Sequence, residues 1–344
     1  MSLDSLGIVA IGRNEGSRLR LCLESLRNFE LPTIYVDSNS SDDSVEIATE
    51  QGTSVLQLDP NKPMSAARAR REGFRKLLGE HQSLEFVFFV DGDCQVDADW
   101  PEAAVDFLRG HDRVGAVCGR RREQHPDLAV YNRLCDHEWD TPIGEALSVG
   151  GDAVYRVSAY REAGEFDPTV PAGEEPELCK RMRDCGWTIQ RMAADMTRHD
   201  AAMTSFGQWW QRQIRTGYAG YDVERRFRLG IFDRILRSAF AWTAIPIVVA
   251  IFAAVVLRIL QFQLWPIAAL LIAAAVVSLQ TLRIAKRAKS SATDWKHALQ
   301  FGFFTMTSKL PIALGAIRQI IATALGRQAR IVEYKSAETL RHQS

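Results

Sequence analysis

The sequence predicts a mostly parallel, doubly wound α/β sheet followed by two apolar helices that cross a membrane. Three observations lead there. Short apolar runs at 7–11, 33–36, 54–58 and 86–90 alternate with segments of helical period. The last run, FVFFV, is almost wholly apolar, as expected of a parallel strand covered on both faces. No charged residue occurs from Ser238 to Leu257 or from Leu264 to Leu282, and a bilayer core takes about 20 apolar residues as helix.

GIVAI (7–11) is the first strand, and Leu19, Cys22, Leu23 and Leu26 then recur on one helical face. TIYV (33–36) is the second strand, closed by Asp37. SNSSDD offers N-caps for a helix through Val45 and Ala48. SVLQL (54–58) is a third strand, and a basic helix runs from Ser65 to Leu78. FVFFV (86–90) ends in Asp91-Gly92-Asp93. Such sheets bind ligands at the carboxyl ends of their strands, where Asp37 and the Asp91/Asp93 pair fall. In GEEPELCKRMRDCGW, Pro176 suits a first helical turn and Gly186 a C-terminal cap. Leu178, Met182 and Cys185 would share its inner face.

The chain has 344 residues, 47% of them apolar and 24% charged, which excludes a disordered or collagen-like chain and allows roughly two units. Lys+Arg and Asp+Glu both number 42, so no global field attracts nucleic acid. The cysteines at 22, 94, 118, 135, 179 and 185 show no CxxC spacing, which suggests neither a zinc site nor a disulfide framework and fits a reducing compartment. The N-terminus lacks the basic and apolar regions of a signal peptide.

The organisation read from these patterns is a cytoplasmic domain over 1–230 and a membrane region over 231–344. Spans are expected at about 238–257 and 264–282; the alternative is a pair of buried core helices. Arg225, Arg226, Arg228, Arg234 and Arg237 precede the first span, and Arg283, Lys286, Arg287 and Lys289 follow the second, whereas the connector holds only Arg258. Positive flanks stay inside, so a multi-pass protein of the cytoplasmic (inner) membrane is expected, with both ends cytoplasmic. The stretch 298–325, interrupted by Lys309 and Pro311, reads as interfacial or re-entrant helices with a cytoplasmic tail beyond. A third span there would export Arg327 and Arg330.

Carboxylates stand where phosphate-binding glycines would sit in other nucleotide folds: there is no GxxxxGK[ST] and no GxGxxG. Carboxylates hold phosphate through a divalent cation, and Asp oxygens suit Mg²⁺ or Mn²⁺. DGD after a buried strand therefore suggests a metal-bridged diphosphate.

The motifs VAIGRNEG, VDSNSSDDS, ARARREGF, FVDGD, GGDAVYRVSAYREAGEFD and GEEPELCKRMRDCGW follow in order over about residues 7–190. Together they resemble a family 2 glycosyltransferase with the GT-A fold. HDAAMTSFGQWWQRQIRTGYA and the terminal IVEYK are similar to membrane-bound bacterial members that build exopolysaccharide units on a lipid carrier. The resemblance implies inverting transfer of a sugar from a nucleotide-diphosphate donor to a lipid-linked (polyprenyl) glycan acceptor, in exopolysaccharide or cell-surface glycan assembly. Transfer to a polyprenyl monophosphate is the alternative in the same fold, and a non-catalytic membrane-anchored binding module the alternative outside it. A nucleotidyltransferase would show a Gly-rich, Lys-containing first loop, and IGRNEG lacks one.

Residue by residue, the resemblance implies that Asp37 meets the donor base; its bland reading is an N-cap. Arg13, Glu15 and Arg70 are expected to bind the donor, unless these arginines line a solvated helix face. Arg71 stands where the family often has Asn. By the resemblance Asp91 faces the nucleotide and Asp93 holds the metal, with Asp91 and His199 as further ligand candidates. Glu175 falls on the acid of the family's ED motif and is the expected general base, with Glu174 second. Both would otherwise only complement the helix dipole. Asp152 and Trp210 are expected near the acceptor and Arg212 near the diphosphate, although the Trp pair also suits an interfacial belt.

Overall fold

The computed structural model describes residues 3–289 and 294–326. These divide into a unit over residues 3–204 and a helical unit over the described residues from 205 to 326. The motif IVEYK and the tail beyond it lie outside the described residues.

The first unit is built on nine strands: β1 (Leu6–Gly12), β2 (Thr33–Asp37), β3 (Ser54–Gln57), β4 (Phe86–Asp91), β5 (Cys94–Val96), β6 (Val114–Glu123), β7 (Gly144–Glu145), β8 (Ala153–Arg156) and β9 (Thr188–His199). Its helices are α1 (Ser17–Arg27), α2 (Ser44–Glu50), α3 (Ala66–Glu80), α4 (Trp100–Arg109), α5 (Val130–Trp139), α6 (Val157–Glu162) and α7 (Glu174–Asp184). The strand order is β3-β2-β1-β4-β8-β6-β9-β5, with β7 pairing β9 at the side. Strands β3, β2, β1 and β4 are parallel, as expected, while β8 enters antiparallel between β4 and β6.

This sheet aligns the acidic strand ends. Gly12 of β1 pairs Asp37, and Ile11 pairs Asp91. Asp37 and Asp91 thus flank one strand, about 10 Å apart at the usual strand spacing. The four β1–α1 residues expected to face inward, Leu19, Cys22, Leu23 and Leu26, are all buried. On α7, Leu178 and Met182 are buried as expected, but Cys185 is the exposed C-cap residue, and Cys179 takes the inner place. Gly186 follows with φ of 89°, a left-handed turn that suits glycine.

The helical unit contains α8 (Phe206–Phe227), α9 (Ile231–Ile259), α10 (Trp265–Ala288), α11 (Trp295–Thr307) and α12 (Lys309–Ala324). Its start at residue 205 moves the expected boundary at 230. The reason is that α8 packs directly on α12: a Cβ on Gly217 would sit 1.9 Å from the Ile312 carbonyl oxygen. Helix α9 contains the first expected apolar stretch, and α10 holds the second except for its N-cap Leu264; their most apolar segments have mean hydropathies of 2.5 and 2.0. The stretch 298–325 is a pair of helices meeting at Ser308. Across the unit, large apolar side chains such as Ile251, Phe252, Leu270 and Leu271 face outward. Ala239, Ala253, Ala269, Ala273, Ala285, Ala298 and Ala316 face inward.

Candidate active site

The loops after β1 and β2 clasp each other. The Asn14 amide donates to Ser40 Oγ (2.9 Å), and the Glu15 and Gly16 amides donate to Ser44 Oγ (both 3.1 Å). Asp37 is 2% exposed and accepts hydrogen bonds from the Ser40 amide, the Ser40 hydroxyl and the Tyr35 hydroxyl. It does not cap α2, whose N-cap is Asp43. Glu15 pairs with Arg18 at 2.8 Å, and Arg13 is exposed.

The β4 end is a dense charge cluster. Gly92 permits its tight turn: its amide donates to the Ile11 carbonyl (2.7 Å), and a Cβ there would crowd the same oxygen at 3.1 Å. Asp91 Oδ1 accepts from Arg70 Nη2 and Oδ2 from Arg121 Nη2, both at 2.8 Å. Burial would push the Asp91 carboxyl up, yet the two guanidinium groups outweigh it and hold it below the usual carboxylate range. Asp93 turns the other way. Its Oδ2 lies 3.2 Å from His199 Nε2, and the Trp139 ring meets the imidazole edge-on at 4.9 Å.

Two of the expected site residues turn inward. Arg70 is 2% exposed, and its fork points inward, to Asp91 on one side and to Glu174 (2.8 Å) and Glu175 (3.3 Å) on the other. Asp152 does not face an acceptor. It is 1% exposed, accepts from the Asp91 amide (3.0 Å) and the Thr197 hydroxyl (2.7 Å), and pairs with Arg121 Nε at 3.2 Å. Its neighbour Gly151 has no room for a side chain, since a Cβ would lie 2.5 Å from Asp91 Oδ2.

The acids of α7 differ from each other. Glu174 is 6% exposed and bonded to Arg70. Glu175 is more open and farther from that cation, and burial together with the Glu174 charge pushes its carboxyl up to about 8. A carboxylate with that affinity for a proton suits general base work near neutral pH.

Two groups of side chains have cation-ligand spacing, Asp93/Cys94/His199 and Asp91/Cys94/Asp152. The second already holds the Arg121 guanidinium, which contacts Asp91, Cys94 and Asp152. Asp91 therefore pairs with Arg121 in one group, while Asp93 and His199 converge in the other. An aspartate oxygen and an imidazole nitrogen already converging at 3.2 Å fit a divalent cation of the Mn²⁺ or Mg²⁺ kind.

Sequence reasoning missed Arg121, which holds Asp91 and Asp152 together and stacks 5.3 Å from the Trp139 ring. It also missed Glu123 and Asn132. Glu123 accepts from the Ala201 amide and Asn132 from the Met203 amide, which fixes the chain just after His199. Burial pushes the Glu123 carboxyl up to about 7.

Trp210 and Arg212 lie on α8 in the other unit. Trp209 is buried against Phe304, whereas Trp210 is half-buried beside the Phe206 ring, and Arg212 is half-buried.

Residues 8–156 match the family described as Glycosyl transferase family 2. The chain is 24% identical over 242 residues to glycosyltransferase AglE of Haloferax volcanii, covering 66% of this chain and 75% of that protein. It is 25% identical over 198 residues to the O-antigen chain rhamnosyltransferase WbaN of Salmonella anatum, covering 54% and 61%. The fold matches mannosyltransferase PcManGT from Pyrobaculum calidifontis, solved in complex with GDP-Man and Mn²⁺, with a TM-score of 0.55 and 16% identity over 92% of this chain and 87% of that one.

Proposed function

We propose that the chain is a family 2 glycosyltransferase of GT-A fold that takes a nucleotide-sugar donor and performs inverting transfer to a lipid-linked glycan at the cytoplasmic face of a membrane. One observation carries the chemistry: the Glu175 carboxylate, 3.3 Å from Arg70, is tied through that guanidinium to the strand end that bears Asp91 and Asp93. In this reading Glu175 takes the proton of the acceptor hydroxyl as that oxygen bonds to the anomeric carbon and the bond to the donor diphosphate breaks. Attack from the side opposite the diphosphate inverts the centre. Asp93 and His199 hold the divalent cation, which when bound neutralises charge on the leaving diphosphate. Asp37, Glu15 and Arg13 line the nucleotide end. Asp91, held ionised by Arg70 and Arg121, orients that end of the site.

The membrane part of the reading rests on the helical unit. Large apolar residues outside and alanines inside are what helices show when their solvent is hydrocarbon, because lipid gives no hydrophobic reward for burying Leu. Arginines flank α9 and α10 on the sides away from the short connector, which under the positive-inside rule sets both ends in the cytoplasm. A similar protein named for an O-antigen chain supports a surface-glycan acceptor. The roles of Arg212 at the diphosphate and Trp210 at the acceptor rest on the motif alone.

The test uses the full chain in lipid nanodiscs with a panel of UDP-, GDP- and dTDP-sugars, with and without membrane lipid extract. We expect nucleoside diphosphate release that needs Mn²⁺ or Mg²⁺, rises with extract, and leaves sugar label in the organic phase. Label that stays wholly in water in the presence of extract would overturn the lipid acceptor. Release unaffected by chelator would overturn the metal.

A further inference from the structure

Arg70 occupies an unusual position for a residue at a donor site. Nη1 lies 2.8 Å from Glu174 Oε1 and 3.3 Å from Glu175 Oε1. Nη2 donates to Asp91 Oδ1 at 2.8 Å and to the Gly151 carbonyl at 3.3 Å. The Phe166 ring backs the guanidinium at 5.6 Å from its centroid. The side chain comes from α3, while its partners come from β4, from α7 and from the turn before β8. One cation therefore faces three carboxylates on two separate elements, with its plane fixed by an aromatic face.

We propose that Arg70 is a positioning residue whose buried fork clamps the Glu174–Glu175 pair to Asp91 and so sets the place of the base relative to the donor site. This rests on the reading of Glu175 as the base. The two ends of the fork have different duties. The Nη2 end is anchored to the sheet, because Asp91 is itself held by Arg121 and its strand is hydrogen-bonded on both sides. The Nη1 end carries α7. Glu174 is the anchor on that helix, being the closer and the more buried acid, and Glu175 beside it remains the acid that exchanges a proton. A lysine could not do this: its ammonium is a point charge without the planar fork that reaches two sets of carboxylates at once. Arg70 also biases the base toward its ionised form. The groups acting on Glu175 are Glu174 and Cys179 of α7, Arg70 of α3, Asp91 of β4 and Tyr155 of β8, and Arg70 is the cation among them.

The test compares wild type, Arg70→Lys, Glu174→Gln and the double variant Arg70→Gln/Glu174→Gln, all as full chain in nanodiscs. Calorimetry with Mn²⁺ and UDP or GDP reads the donor site, turnover of the nucleotide-sugar panel reads kcat and KM, and thermal melts read folding. For Arg70→Lys we expect kcat to fall by ~10²-fold, the scale of a misplaced catalytic group, with KM for the donor and nucleotide affinity within about threefold. The rising limb of its pH–rate profile should move up by about one unit, because a weaker cation contact favours the protonated base. The double variant removes a cation and an anion together, so a merely structural Arg70 would recover both melting temperature and kcat there. Recovery of the melting temperature with kcat still low supports positioning; recovery of both overturns it. Loss of nucleotide affinity at unchanged kcat would also overturn it, by making Arg70 a donor contact. A wild type that turns over no nucleotide sugar would overturn the proposed function, and the inference with it.

Discussion

The two units differ most in what they bury and what they expose. The sheet unit hides charge: Asp37, Arg70, Asp93, Asp152, Glu174 and Glu177 are all buried, while its interior apolar residues are conventional. The helical unit exposes bulk: Phe252 is 70% and Leu270 67% exposed, while alanines fill its contacts. Buried charge is costly unless each ion has partners, and a fold keeps such a cluster where its field is used. Exposed bulk is costly in water and free in hydrocarbon. Under the proposed function, the contrast is between a unit organised around a reaction and a unit organised around a solvent.

The largest effect should come from Glu175, whose carboxyl is pushed up by burial and by the Glu174 charge. We expect Glu175→Gln to lower kcat by ~10²–10⁴-fold, the usual contribution of a general base, with nucleotide affinity retained and Glu174→Gln losing less. The pH dependence follows from the raised carboxyl near 8. Below that pH the folded protein holds a proton on Glu175 and the base is idle, so turnover should fall about tenfold per unit on going down from pH 8. Stability runs the other way. The unfolded chain releases this proton at its ordinary value of 4.5, so the contribution is fully present below that pH and is lost as pH rises through 8. Thermal melts and pH–rate curves on the same samples should therefore slope in opposite directions. A flat rate between pH 6 and 8 would remove Glu175 from the chemistry.

Much of this contrast was legible in the sequence. The first four strands and the helices between them follow from runs of apolar period, and Asp37, Asp91 and Glu175 follow from motifs at strand or helix ends. Arg121 was not legible. It sits in GRRRE, where three arginines in a row give no face, and register shifts near Cys118, Arg120 and Arg121 break the alternation that would assign one. Arg70 was legible as a motif residue but not in its direction, because only the fold brings α7 across from α3. Asp152, in GGDAVYR, was expected near the acceptor. The turn is tight because Gly151 lies against Asp91, and that contact sends Asp152 inward.

The comparison can be broken from the other unit. Val248 is 61% exposed on α9, near the middle of its apolar run. If the surrounding solvent is hydrocarbon, Val248→Asp should cost about 3 kcal/mol of insertion, the centre-of-helix scale for an acidic residue. Carbonate extraction of membranes from expressing cells should then release a large part of the variant and little of the wild type. Equal retention of both would leave α9 without evidence of a lipid-facing side.

The smallest effect concerns how closely the inner helices approach. Gly217 of α8 has the Ile312 carbonyl oxygen where its Cβ would be, at 1.9 Å, and Gly315 of α12 has the Ile214 oxygen at 2.0 Å. The clashes are reciprocal and involve backbone, so no side chain can swing aside. Gly217→Ala must push the two helices apart, which should cost ~1–3 kcal/mol, the range for inserting a methyl group into a packed interior. Gly207, near the start of the same helix, is open, with only Ser205 Oγ within 4.0 Å. There Gly→Ala should raise stability by ~0.4–1 kcal/mol through the unfolded chain's lost freedom. Helix propensity is the same argument at both sites and cannot separate them. Melting temperatures of the two variants in one detergent should therefore move in opposite directions. If Gly217→Ala melts at or above wild type, the α8–α12 crossing is looser than the structure has it.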